Sequence, residues 1–133
     1  MFAVNSCYNK SMAITRTHIQ PAYKKENGLW VLDLGTIELP DDFEVREKYI
    51  TYFPPQQFGG NHKHPRKEAF IGLGENLRFI WLDDQGQKHE EEMNPQGELY
   101  LFIIPSQIPH AVINKSRKIP AILYELLIKS KKV

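Results

Sequence analysis

The apolar residues of this chain do not recur at helical spacing. They come in short runs, each closed by turn residues. "GLWVLDLG" is bracketed by Asn27-Gly28 and Gly35, and "KYITYF" stops at Pro54-Pro55. "AFIGLG" starts at Ala69, and "NLRFIWL" runs into "DDQG", which reads as a hairpin turn. "ELYLFIIP" follows Gly97, "HAVIN" follows Pro109 and "AILYELLI" follows Pro120. Such runs, separated by Pro and Gly, predict seven or more strands in an all-β sandwich or barrel. A short helical turn is expected around Asp41–Arg46, and "QKHEEE" around His89 reads as a polar, solvated turn. No repeat, low-complexity segment or linker breaks the pattern. The expected organisation is an arm over residues 1–14, frayed or added to a partner subunit's sheet, and one domain over 15–133.

Bulk properties narrow the function classes. The 133 residues suffice for one domain with a real core. Apolar residues at 41% and charged residues at 25% are ordinary for a globular protein. A formal net charge of +1 provides no single-sign field for nucleic acid or an anionic membrane. Cys7 is the one cysteine, which excludes an internal disulfide and fits a reducing compartment. The start of the chain lacks a basic segment followed by a long apolar run, and no run is long enough to span a bilayer. The expectation is a cytoplasmic protein whose partner is a small-molecule substrate.

The stretch "FGGNHKHPRKEAFIGLG" from Phe58 gathers the candidate chemistry. On a strand, His62 and His64 point to one face. Glu68 has the same parity and returns to that face if Pro65-Arg66-Lys67 bends, while Gly59 and Gly60 free the backbone just before the pair. A later segment, "PSQIPHAVIN", adds Pro105, His110 and Asn114.

The spacing H-x-H-x3-E followed by P-x4-H-x3-N resembles the two motifs of the cupin superfamily. His62, His64 and Glu68 match the ligand positions of the first motif, and His110 that of the second. Pro105 and Asn114 match the second motif's framing residues. The glycines depart: the first motif's closing glycine falls on Glu75, and the second motif's glycines fall on Leu99 and Gln107. The resemblance implies a double-stranded β-helix, a jelly-roll barrel with the four side chains converging inside. Exposed edge strands in such small barrels point to a homodimer. A narrower resemblance links "ENGLWVLD", "LPDDFEVREKYITYF", "GGNHKH" and "LDDQG" to the segment order of sugar-nucleotide ketoisomerase and epimerase cupins. Their Arg-Gly-x-His-x-His segment reads here as Gly59-Gly60-Asn61-His62-Lys63-His64, without the arginine. Those enzymes often carry glutamine where this chain has Glu68 and work without a metal.

Two chemistries follow. Three imidazoles and a carboxylate at His62, His64, His110 and Glu68 suit Zn, Fe, Mn, Ni or Cu and leave positions open for water, substrate or dioxygen. Alternatively, the four residues hold only water or a hydrogen-bond network. For isomerisation beside a carbonyl, His62 and His64 are the candidate base and acid, with Tyr52 as a candidate partner. Arg78 interrupts an apolar strand. It grips an anionic substrate if its face lines the barrel, and is an ordinary surface residue otherwise. The expected protein is a metal-binding cupin acting on a carbohydrate or sugar nucleotide by isomerase or epimerase chemistry. The alternatives are a metal-dependent dioxygenase and a non-catalytic ligand-binding cupin.

Overall fold

Strands with one apolar face must stack that face on another sheet to leave water. In the computed structural model, two antiparallel sheets do so. Residues 13–40, 43–62 and 65–128 are described, with the side chains at 61, 62 and 128 excepted. The strands are β1 (Thr15–Ile19), β2 (Tyr23–Lys24), β3 (Trp30–Val31), β4 (Val45–Phe53), β5 (Phe58–His62) and β6 (Glu68–Leu73). They continue with β7 (Leu77–Leu82), β8 (Lys88–Glu92), β9 (Leu99–Ile104), β10 (His110–Asn114) and β11 (Ala121–Ile128). One sheet runs β1-β9-β6-β11-β4, the other β5-β10-β7-β8, and β2-β3 form a small separate hairpin. From β4 to β11 the chain passes repeatedly from one large sheet to the other, and the fold is the all-β jelly roll expected.

Apolar side chains fill two separate cores. Phe53, Phe70, Leu77, Phe79, Met93 and Phe102 lie between the sheets. Phe79 is fully buried, with its ring centroid 5.4 Å from that of Phe102 and 6.1 Å from that of Phe70. The second core lies on the outer face of the five-stranded sheet. There Ala69, Ile71, Leu101 and Leu126 are covered by Leu32, Ile37, Leu39 and Phe43 from the segment that precedes β4.

Several local expectations change. "GLWVLDLG" forms only the short β3 and a single 3-10 turn at Leu34–Thr36, held by Asp33 Oδ1 accepting from the Gly35 amide at 2.9 Å. Its leucines serve as cover for the outer core. No helical turn forms over the described part of Asp41–Arg46: residues 41–42 lie outside the described residues, and Val45 and Arg46 open β4. "QKHEEE" is a strand: β8 pairs with β7, and His89 stacks on Trp81 at 4.8 Å and bonds Asp83 at 2.8 Å. Most of the expected arm, residues 1–12, lies outside the described residues. The polar stretch that follows it is β1, paired with β9 of its own chain. Among the described residues, no helix is long and apolar enough to cross a membrane.

Candidate active site

Strand register decides which side chains face between the sheets. Across β4, β11 and β6, the inward rungs are Glu47–Leu127–Glu68, then Tyr49–Glu125–Phe70, then Thr51–Leu123–Gly72. The opposite wall presents His110 and Val112 from β10. Together these enclose a cavity of about 330 Å³. A larger hollow of about 400 Å³, lined by Ile14, Trp81, His89 and Ile108, contains neither Glu68 nor His110, so the smaller cavity is the chemical candidate.

Two glycines let the cavity form. Gly60 has φ +94°, and a Cβ there would lie 3.2 Å from the Ala111 Cα. One on Gly59 would press on the Phe53 ring at 3.2 Å. Side chains at this pair would therefore push β5 from β10 and crowd the lining.

The chemical centre is Glu68 with His110. The His110 Nε2 lies 2.9 Å from Glu68 Oε1, and the two side chains are 3% and 4% exposed. His110 Nδ1 donates to the Ile108 carbonyl at 2.7 Å, which fixes the ring and turns Nε2 toward the carboxylate. Phe70 and Phe79 flank the imidazole at 5.7 and 5.9 Å between centroids. Burial opposes its charged form, but the Glu68 contact, the Ile108 carbonyl and the charge of Glu125 outweigh this. His110 therefore titrates above its ordinary value.

Two further polar groups lie along the wall. Thr51 Oγ1 donates to Glu125 Oε1 at 2.7 Å. Tyr49 donates its hydroxyl to Glu47 Oε2 at 2.6 Å, and Arg66 donates to Glu47 Oε1 at 2.7 Å. Those bonds hold the Glu47 carboxyl below, and the Tyr49 phenol above, their ordinary values.

The sequence candidates separate accordingly. Glu68 and His110 are brought together, but not by a shared strand face. Glu68 opens β6 in one sheet while His62 ends β5 in the other, and the cavity lies between the sheets. In the β5–β10 ladder, His62 is the register partner of His110. The His62 side chain and the whole of His64 lie outside the described residues. Tyr52 is corrected: it lies on the outer face of β4, 61% exposed, because parity gives the inner face to Tyr49, Thr51 and Phe53. Arg78 is corrected as well. Phe79 takes the inner face of β7, so Arg78 points outward, 3.6 Å from Glu90 and Glu92 and 3.0 Å from Asn76 Oδ1. Gln107, where the cupin motif has glycine, nevertheless adopts the left-handed conformation with φ +68°. Glu125 escaped the sequence reading. Its signal was a lone acid in "AILYELLI" with the parity of Leu123 and Leu127.

Glu68 and His110 are of donor types that divalent transition metals take, and their 2.9 Å separation is that of a direct hydrogen bond. Among the described residues no three His, Cys, Asp or Glu side chains form such a group; two of the four sequence candidates lie outside them.

No family model and no curated protein matches the chain. Solved structures do. A dTDP sugar isomerase from Desulfovibrio desulfuricans G20 aligns with TM-score 0.70 at 12% identity, over 90% of this chain and 79% of that one. The QdtA sugar 3,4-ketoisomerase from Thermoanaerobacterium thermosaccharolyticum, in complex with TDP, gives 0.63 at 16%, over 90% and 82%. The WlaRA TDP-fucose-3,4-ketoisomerase from Campylobacter jejuni gives 0.60 at 21%, over 91% and 85%. The capsular polysaccharide assembling protein CapF from Staphylococcus aureus gives 0.56 at 15%. Its match takes 65% of this chain but only 24% of CapF. At such identities the likeness establishes the fold, an all-β jelly roll.

Proposed function

We propose that this protein is a sugar-nucleotide isomerase that moves a proton beside a substrate carbonyl. The observation that carries this reading is the buried Glu68–His110 pair on the wall of a cavity of about 330 Å³. The same fold in TDP-sugar isomerases, one of them bound to TDP, supports it.

The chemistry needs a base for the acidic C–H, a donor for the carbonyl oxygen and the reverse pair to collapse the enediol. His62 and His64 are assigned the proton exchange. Tyr49 faces the cavity where Tyr52 does not and replaces it as candidate partner; its hydroxyl donates to Glu47 and would have to turn from it to reach a substrate oxygen. Glu68 and His110 form the buried polar end against which the reacting oxygens would rest, while Phe53, Phe70 and Val112 exclude water. In the alternative, His62, His64, Glu68 and His110 would hold a divalent transition metal, and His62 and His64 would then be ligands rather than base and acid. Bound there, such an ion would supply Lewis-acid polarisation of a substrate oxygen.

The test uses TDP-4-keto-6-deoxyglucose in deuterated buffer, followed by NMR. The expected result is migration of the keto group with deuterium entering the ring, slowed about a hundredfold or more in His64→Ala. A wild-type protein that neither binds this compound nor catalyses exchange would sink the reading. Elemental analysis of wild type, His62→Ala and Glu68→Ala addresses the metal separately. Near-stoichiometric metal lost in both variants selects the metal alternative, and none after soaking with Zn, Fe and Mn leaves His62 and His64 as base and acid.

A further inference from the structure

The inward face of β11 reads Ala121, Leu123, Glu125, Leu127. One carboxylate therefore stands in an otherwise apolar row of β11 facing between the sheets. Glu125 is held in place: Thr51, one rung along on β4, donates its hydroxyl at 2.7 Å. Register puts Glu125 between Tyr49 and Phe70, one rung from Glu68, on the same cavity. The lining thus combines an apolar surface of Phe53, Phe70, Val112 and Leu123 with the polar Glu68–His110 pair at one end and the oriented Glu125 carboxylate beside it. Such a surface complements a pyranose ring, whose C–H faces are apolar and whose hydroxyls are donors at the rim. A carboxylate accepts such hydroxyls with charge-assisted hydrogen bonds.

We propose that Glu125, oriented by Thr51, recognises the ring hydroxyls of the hexose and sets specificity for that half of the substrate. This deepens the isomerase reading and rests on it. The experiment compares TDP-4-keto-6-deoxyglucose with TDP, by calorimetry and by steady-state kinetics, in wild type, Glu125→Gln, Glu125→Ala, Thr51→Val and Thr51→Ser. Glu125→Gln should weaken the TDP-sugar about tenfold or more, because a charge-assisted bond becomes a neutral one, and leave TDP affinity unchanged. The loss should fall on KM more than on kcat. Thr51→Val should give a smaller loss of the same kind, and Thr51→Ser should restore it. Wild-type affinity and KM for the TDP-sugar in both Glu125 variants would overturn the proposal. So would an equal loss for TDP, the mark of a merely structural residue. If wild type binds neither compound, the isomerase reading fails and this inference with it, an outcome visible before any variant is made.

Discussion

Replacing Asn114 by aspartate changes one atom and should nearly unfold the protein at neutral pH. Asn114 is fully buried. Its Nδ2 lies 3.2, 3.3 and 3.0 Å from the carbonyl oxygens of Phe53, Pro54 and Ile119, and its Oδ1 accepts from the Ser116 amide at 3.1 Å. It thereby ties the end of β4 and the turn before β11 to β10. An ionised aspartate would aim negative oxygen at three carbonyls, so the folded variant must take up a proton instead. At about pH 7, with a free aspartate pKa near 3.9, that costs about 1.4 kcal/mol per unit, or about 4 kcal/mol. One lost hydrogen bond adds about 1 kcal/mol, and the sum is a large part of the ~5–15 kcal/mol that stabilises a typical domain. The sign is fixed by linkage. The folded pKa is raised above the unfolded one, so the protonation penalty vanishes below about 3.9 and grows as pH rises, until the folded pKa is passed. Urea unfolding followed by Trp30 and Trp81 fluorescence, from about pH 4 to 8, measures the difference from wild type. Asn114→Ala is the control, with a loss of about 2–4 kcal/mol that does not vary with pH. A difference under about 1 kcal/mol near pH 7, or one that stays flat across the range, refutes the reasoning.

In protein freed of metal by chelation, the His110 ring signals should titrate above the ordinary 6.5, and Glu68→Gln should lower that midpoint. Because the folded pKa is raised, the stability the pair provides is fully present below about 6.5 and lost as pH rises through the folded value. The gap between wild type and Glu68→Gln in urea should narrow accordingly, and a gap that widens contradicts the assignment. Arg78→Ala should cost less than about 1 kcal/mol, since its ion pairs are long and partly exposed, and it should leave KM unchanged. Tyr52→Phe should leave kcat at the wild-type value, whereas Tyr49→Phe should lower it; the opposite ranking would restore Tyr52. Gln107→Gly should raise stability by about 0.5–1 kcal/mol in a thermal melt, because it relieves left-handed backbone strain, and a lower melting temperature contradicts that.

The central strands were legible because each carries an apolar face and has Pro or Gly near at least one end. The runs that became β6, β7, β9, β10 and β11 are of this kind. The edges were not. "TRTHI" and "KHEEE" form β1 and β8 with largely polar side chains, since an edge strand needs little apolar surface to pair on one side. "GLWVLDLG" misled for the opposite reason: its leucines are apolar to cover the outer core, not to build a ladder. In the site, the cupin resemblance implied that Glu68 and His110 converge, and they lie 2.9 Å apart. Tyr52 and Arg78 failed on parity, which a sequence fixes only relative to its neighbours and never relative to the barrel. One known inward residue, Phe53 or Phe79, sets it for each strand.

The two cores lie on opposite faces of one sheet. Ala69, Ile71 and Leu126 face the outer one, while Glu68, Phe70 and Glu125 on the same strands face the cavity. Adjacent codons in β6 and β11 therefore answer to different selective pressures, one for persistence of the fold and one for chemistry. A gain made under the cover of residues 32–43 can offset a loss incurred inside the cavity, and such distant effects should largely add. The architecture lets the cavity lining vary while the barrel stays folded.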